Sequence, residues 1–214
     1  SILHKEGYRV PIVLQTVPIR NDHGCIIGAA ECFDENVAAS RRSRRRNAPG
    51  SVITLDEITG LASEVSMEAH LRECMAALAG RHADIRVVLI RVDGLEHLRA
   101  TRGPSVVPRV LRVLSHTIKN SLRPSDVVGS WSEARFLAVL TECDESDLET
   151  VADGIRKMIS QSEVEWWGDR FAVTAALGGT WCRPDDTLES LVNRAEQSLA
   201  LSEAAGGNCF TVAK

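Results

Sequence analysis

Charged residues at the end of one predicted strand and in one predicted turn are the first candidates for chemistry. Arg91-Val92-Asp93 ends an apolar run, and Ser132-Glu133-Ala134-Arg135 separates two short strand-like segments. Nucleotidyl transfer from a triphosphate needs several carboxylate oxygens at such a place, because they hold the two Mg²⁺ ions that assist the reaction. Only Asp93 and Glu133 are acidic here, whereas Arg91 and Arg135 are cationic. These residue types therefore oppose a metal-dependent reaction.

Hydrophobic periodicity indicates the elements that position these two segments. Helical spacing of apolar residues predicts helices within 65–78, 107–118, 148–159 and 188–199. Continuous or alternating apolar runs predict strands at 85–92, 126–131, 136–140 and 171–177. The order strand, helix, strand, strand, helix, strand is that of a ferredoxin-like α/β fold, with extra helices before and after it. Asp93 then follows the first strand, close to the turn at 132–135.

Several short motifs, in the same order along the chain, resemble those of GGDEF domains, the diguanylate cyclase family. Asp56-Glu57-Ile58-Thr59-Gly60-Leu61 resembles the family's opening D-x-L-T-G-L, and Ala205-Gly206-Gly207-Asn208 resembles its closing A-G-x-N. Ser132-Glu133-Ala134-Arg135-Phe136 stands where the GGDEF pentapeptide belongs. The resemblance covers residues 55–212 and implies a nucleotidyl cyclase, or palm-type, fold with a βαββαβ core.

The resemblance also implies that the metal-binding positions are degenerate. Arg91 replaces the first metal-binding Asp, Ala134 the acidic third position of the pentapeptide, and Arg135 its acidic fourth position. Ser132 and Glu133 replace its two glycines. Two unit charges about 4 Å apart interact by about 4 kcal/mol at an effective dielectric of 20, so a cation at a ligand position strongly opposes metal binding. We therefore expect no catalytic residues and no bound Mg²⁺, and residual diguanylate cyclase activity is the alternative.

Base recognition is expected to be lost as well. By the resemblance, the family's guanine-binding Asn corresponds to Arg99 and its guanine-binding Asp to Pro108. A phosphate-contacting Lys corresponds to Glu203, and a nearby Arg to Gly207. The substrate site thus differs from the family pattern at both its metal and its nucleotide positions.

Arg123-Pro124-Ser125-Asp126 is a second candidate site. Arginine can donate two parallel hydrogen bonds to guanine, and aspartate can accept from its Watson–Crick edge. The segment is similar to the family's inhibitory R-x-x-D site, which implies cyclic di-GMP binding through Arg123 and Asp126. The family's secondary arginine corresponds to Gly154, with Arg156 as an uncertain substitute. The alternative is that Pro124 and Asp126 only form a turn and that Arg123 caps the preceding helix.

The N-terminal quarter has a different character. Residues 8–18 and 25–33 are β-rich and flank a turn-forming stretch, which predicts a hairpin. Residues 1–36 resemble the last strands of a PAS domain, and the fragment would lack that domain's ligand pocket. Residues 37–52 include Arg41, Arg42 and Arg44–Arg46 and are predicted to be a linker. Residues 53–214 then form the degenerate GGDEF domain.

Composition limits the remaining functions. The chain has 25 Lys and Arg residues against 29 Asp and Glu, and no aromatic residue interleaves its arginine run, so we predict no DNA binding. Its apolar runs are too short for a membrane span, and its six cysteines form no C-x-x-C pair, which is typical of reduced thiols in a bacterial cytoplasm. We expect a non-catalytic receptor or relay of cyclic di-GMP signalling that forms a homodimer or binds a partner signalling domain. A purely structural dimerisation module is a further alternative.

Overall fold

The computed structural model describes residues 2–10, 12–20, 26–35, 53–78, 85–132, 134–141, 143 and 145–213. Among these residues, no helix is both long and apolar enough to cross a membrane. The proposed linker at 37–52 lies outside the described residues, and so does Glu133.

The described chain contains eleven strands and five helices. The strands are β1 (Ile2–Leu3), β2 (Arg9–Val10), β3 (Ile12–Arg20), β4 (Ile26–Glu35), β5 (Ile85–Val92), β6 (Val127–Trp131), β7 (Arg135–Thr141), β8 (Glu163–Trp166), β9 (Asp169–Ala172), β10 (Ala175–Trp181) and β11 (Phe210–Val212). The helices are α1 (Glu64–Leu78), α2 (Leu95–Arg102), α3 (Val106–Ser121), α4 (Glu145–Ser160) and α5 (Leu188–Ala204).

A five-stranded sheet in the order β11-β10-β5-β7-β6 forms the centre of the domain. Strand β5 pairs antiparallel with both β7 and β10, and β11 pairs parallel with β10. Residues 87–90 of β5 are fully buried because helices cover both faces of the sheet, which explains the continuous apolar run. One face packs against α3 and α4, and the other packs against α1 and α5. The predicted ferredoxin-like arrangement is confirmed.

The opening motif fastens the start of this domain to the edge strand β6. The carboxylate of Asp56 accepts hydrogen bonds from the backbone N–H and the hydroxyl of Thr59, at 2.8 and 2.7 Å. The Thr59 hydroxyl lies 2.7 Å from the Ser130 hydroxyl, and the Ser130 N–H donates to Ala62 O. This motif therefore has a structural use that is independent of any ligand.

The N-terminal residues form two small sheets. Strands β3 and β4 pair antiparallel over their whole length, from Ile12↔Glu35 to Arg20↔Ile26, so the predicted hairpin is present. Strands β1 and β2 form a separate pair in which Ile2 faces Val10. The sequence did not predict this β1–β2 pair as a separate element.

Candidate functional site

Arg91 lies at the end of β5 and points towards α5. Its Nη1 atom is 2.8 Å from Glu203 Oε1, and the two side chains are 44% and 31% exposed. Both residues occupy positions where the family resemblance implies the opposite charge. The position expected for a metal-binding carboxylate is thus occupied by a guanidinium that already forms an ion pair.

Arg135 makes a second ion pair with the same helix. It opens β7 directly opposite Arg91, and its Nη1 lies 3.1 Å from Glu196 Oε1. Glu196 and Glu203 are seven residues apart on α5, which places them on one face about two turns apart. Two sheet arginines are therefore matched by two helix glutamates.

The turn before Arg135 keeps a backbone conformation that normally suits glycine. Ser132 and Ala134 have φ angles of 46° and 59°, in the left-handed region that residues with a β-carbon adopt at a cost. Ala134 is half-buried and packs against the larger core cluster. Its methyl group supplies no oxygen ligand at this position.

Asp93, the acid that remains after β5, is engaged in hydrogen bonds to two other segments. Its Oδ2 accepts from the hydroxyl of Thr174 at 2.7 Å and from the backbone N–H of Asn208 at 2.8 Å. A β-carbon added at Gly207 would lie 2.6 Å from this carboxylate, and Gly207 has a φ of 75°. The carboxylate thus connects the end of β5, the residue before β10 and the turn before β11.

The positions expected to contact guanine lie on α2 and α3. Arg99 is on the exposed side of α2 and its Nη1 is 3.6 Å from Glu96 Oε1. Pro108 is in the first turn of α3, where its missing N–H leaves no helical hydrogen bond unmade. The resemblance implies an amide and a carboxylate that hydrogen-bond to guanine at these positions. The side chains of Arg99 and Pro108 cannot make the same hydrogen bonds.

Arg123 and Asp126 lie between α3 and β6 and behave differently. The Asp126 carboxylate accepts from the backbone N–H of Arg123 at 3.1 Å and from that of Thr141 at 3.4 Å. Burial raises the pKa of Asp126 above its ordinary value. The Arg123 guanidinium is half-exposed, with Nη2 3.7 Å from Asp147 Oδ1. Asp126 therefore closes the turn, while Arg123 extends from it.

Arg156 is already bound by its neighbours. It donates from Nε and Nη2 to Asp153 Oδ1, at 3.0 and 2.7 Å, and from Nη1 to Asn208 Oδ1 at 3.1 Å. It lines an open cavity of about 520 Å³ between α4 and β11. Arg156 thus links α4 to the Asn208 turn.

Sequence reasoning missed three partners in these sites. Glu196, Thr174 and Asp147 each contact a residue singled out above, yet none belongs to a recognised motif. The seven-residue spacing of Glu196 and Glu203 could have indicated these partners. It places two acids on one face of a helix, where they can pair with two cations at opposed strand positions.

Comparison with known proteins identifies the family. Residues 53–209 match the family described as GGDEF: Diguanylate cyclase, GGDEF domain. The chain is 25% identical over 131 residues to diguanylate cyclase A of Treponema denticola, covering 61% of this chain and 35% of the relative. It is 24% identical over 208 residues to diguanylate cyclase DosC of Escherichia coli K12, covering 96% of this chain and 42% of the relative. The chain thus spans less than half the length of these relatives.

Solved structures show the same fold. The GGDEF domain of DgcB from Caulobacter crescentus, in complex with c-di-GMP, has a TM-score of 0.71 at 21% identity and covers 78% of this chain and 97% of its own. Diguanylate cyclase SiaD from Pseudomonas aeruginosa, in complex with its activator SiaC, has a TM-score of 0.71 at 26% identity, covering 74% of this chain and 61% of its own. With most of its length matched by the family, this chain belongs to the GGDEF family of diguanylate cyclases.

Proposed function

We propose that this chain is a non-catalytic signalling domain of the cyclic di-GMP system, acting as a cyclic di-GMP receptor or as a relay. The observation that carries the proposal is the Arg91–Glu203 ion pair. It places a cation where the reaction needs a carboxylate, and it removes the phosphate-contacting cation from α5. Both exchanges oppose binding of a magnesium–triphosphate complex.

The donor set that the structure describes does not fit Mg²⁺, which prefers near-octahedral coordination by oxygen atoms. Among the described residues, no group of three or more His, Cys, Asp or Glu side chains is arranged to hold a metal ion. Asp93 already accepts two hydrogen bonds, and the residue two positions before it, Arg91, is a cation. These observations support a domain that does not transfer nucleotidyl groups.

The receptor role is supported by Arg123. Its guanidinium is half-exposed and lies 3.7 Å from Asp147 Oδ1, a long contact that leaves N–H groups able to turn towards a guanine edge. The DgcB structure contains c-di-GMP, and SiaD is bound to a partner protein, so both modes occur among structures of this fold. The relay role would use self-association or a partner signalling domain.

The test of inactivity is incubation with GTP and either Mg²⁺ or Mn²⁺, followed by chromatography for cyclic di-GMP. We expect no product above the level without protein. Product that disappears in Glu133→Ala would contradict the proposal. The triple variant Arg91→Asp, Ala134→Asp, Arg135→Glu is expected to remain nearly inactive, because Arg99 and Pro108 still cannot hold guanine.

The test of binding is calorimetric titration with cyclic di-GMP at fixed physiological salt. Arg123→Ala should weaken binding by about 1–3 kcal/mol, or about 5-fold to more than 100-fold, if the arginine makes a bidentate contact. Arg72→Ala, which removes an exposed arginine on α1, is the matched control and should bind as the unmodified chain does. Absence of saturable heat would reject the receptor role and leave the relay.

A further inference from the structure

Residues 4–9 form a tight turn that is seated on the GGDEF domain. The turn is closed by hydrogen bonds from His4 N–H to Tyr8 O and from Gly7 N–H to His4 O, both at 2.8 Å. It precedes the β3–β4 hairpin and lies about 45 residues before the family match begins at residue 53. An upstream segment thus contacts the domain directly.

Gly7 is the point of closest approach. Its carbonyl accepts a hydrogen bond from Glu163 N–H at 3.1 Å, at the first residue of β8. Gly7 is buried with a φ of 93°, and a β-carbon added there would lie 1.7 Å from Glu163 O. Only glycine fits this position, because any other side chain would collide with backbone.

Three polar side chains bind the backbone on either side of this contact. Arg9 donates from Nε and Nη2 to Gln161 O, both at 3.2 Å. From α3, Asn120 Nδ2 donates to Arg9 O at 3.1 Å, and Arg109 Nη2 donates to Glu6 O at 3.4 Å. Two of these four bonds are donated by the turn to Gln161 O, and the other two are donated by α3 to carbonyl oxygens of the turn.

Aromatic stacking adds a contact to the middle of α3. The Tyr8 ring lies between the rings of His4 and His116, at centroid distances of 4.4 and 4.6 Å and interplanar angles of 16° and 19°. Tyr8 also packs against the larger core cluster. A buried hydrogen bond of 2.9 Å between the hydroxyls of Thr117 and Ser162 connects α3 to the residue that precedes β8. Helix α3 and residues 161–163 are thus the two sides of a groove that holds the turn.

We infer that the groove between α3 and residues 161–163 is a binding site for the Glu6-Gly7-Tyr8-Arg9 turn, and that it couples the upstream segment to α3. Helix α3 has the former guanine position Pro108 in its first turn and leads at its other end into Arg123. A signal that withdraws residues 4–9 would remove contacts at Arg109, His116 and Asn120 along the helix. The inference stands whether or not the domain binds cyclic di-GMP.

The test compares Gly7→Ala with Gly103→Ala in the full chain by amide hydrogen exchange. Both glycines have positive φ, but nothing lies within 4 Å of a β-carbon added at Gly103, so this control carries the backbone strain without the collision. Gly7→Ala should speed exchange of the Glu163 amide and of residues 2–10 by about tenfold or more, with a smaller increase in the second half of α3. Gly103→Ala should leave these amides unchanged.

A double-mutant cycle keeps the test decisive if Gly7→Ala fails to fold. Tyr8→Ala and His116→Ala should each speed exchange of the Glu163 amide, and the double variant should show less than the product of the two effects because they share one contact. Unchanged exchange in all Gly7, Tyr8 and His116 variants would overturn the site. An increase confined to residues 2–10, with α3 unaffected, would overturn the coupling.

Discussion

Arg91 and Arg135 face each other directly across strands β5 and β7. Like charges at opposed positions of an antiparallel pair are destabilising. Glu203 and Glu196 of α5 offset this repulsion, since each accepts a charge-assisted hydrogen bond from one arginine. We therefore expect the four residues to act as one electrostatic unit, so that a single substitution disturbs all of them.

A charge-exchange experiment tests this unit. Arg91→Asp and Glu203→Lys should each lower the free energy of unfolding, and the double variant, which restores an inverted pair, should be more stable than the sum of the two effects predicts. We expect a coupling of about 0.5–1 kcal/mol, because the side chains are partly exposed and screened by solvent. Urea denaturation of the four proteins measures it. Strictly additive effects would show that the pair contributes no coupling.

The turn at 132–134 gives a second prediction. Ser132→Gly should raise the free energy of unfolding by up to about 1 kcal/mol, because glycine adopts a φ of 46° without a steric penalty. Ser130→Gly is the contrasting control, since it removes the contact of the Ser130 hydroxyl with Thr59 and should be destabilising. The prediction fails if Ser132→Gly lowers the thermal midpoint.

Substitutions of Arg123 and Asp126 should change the free energy of unfolding by different amounts. Asp126→Ala removes a half-buried acceptor from two backbone N–H groups and should cost about 1–3 kcal/mol. Arg123→Ala should change the free energy of unfolding by less than about 0.5 kcal/mol, because its contact is long and exposed. Thermal unfolding of both variants checks this. Equal losses would mean that Arg123 also supports the turn.

The ion pair between Asp186 and Arg194 predicts a pH dependence. Hydrogen bonds from Arg194 hold the pKa of Asp186 well below its ordinary value, and the carboxylate is only 7% exposed. A carboxyl whose pKa falls on folding adds stability above its unfolded pKa, about 3.9, and this contribution is lost as the pH falls towards the folded value. The pair should therefore contribute its full stability at pH 7 and less of it near pH 2.

Asp186→Asn should accordingly cost about 3–5 kcal/mol at pH 7, since it leaves Arg194 without its charged partner. The difference from the unmodified chain should shrink between pH 5 and pH 2, as measured by urea denaturation. Asp185→Asn, an exposed neighbour, is the control and should show little difference at any pH. A constant difference for Asp186→Asn across this range would contradict the assignment.

The long elements of the fold and the pair β6 and β7 were predictable from periodicity, whereas some short elements were not. Strand β5 and helices α1, α3, α4 and α5 follow clear apolar patterns. The predicted strand at 171–177 is in fact the end of β9 and the start of β10, interrupted at 173–174, because apolar residues continue across the break. Helix α2, with a single buried residue, has too few apolar positions to be recognised.

The site positions were predictable but their partners were not. The order of the motifs along the chain placed Arg91, Arg135 and Asp126 next to the ends of predicted strands. The ion pairs with the glutamates of α5 and the contact of Gly7 with Glu163 join segments that are far apart in sequence. No local sequence pattern encodes such contacts. Gly7 alone gave a hint, as a glycine beside residues of high strand propensity.

Asp93 has a use in the fold that does not depend on catalysis. Because its carboxylate holds the backbone of Asn208 and the hydroxyl of Thr174, selection for a folded domain is enough to retain it. The side chain of Arg91 instead donates to the side chain of Glu203. The requirements of folding alone can therefore explain an aspartate at this position, and its presence is not by itself a sign of turnover.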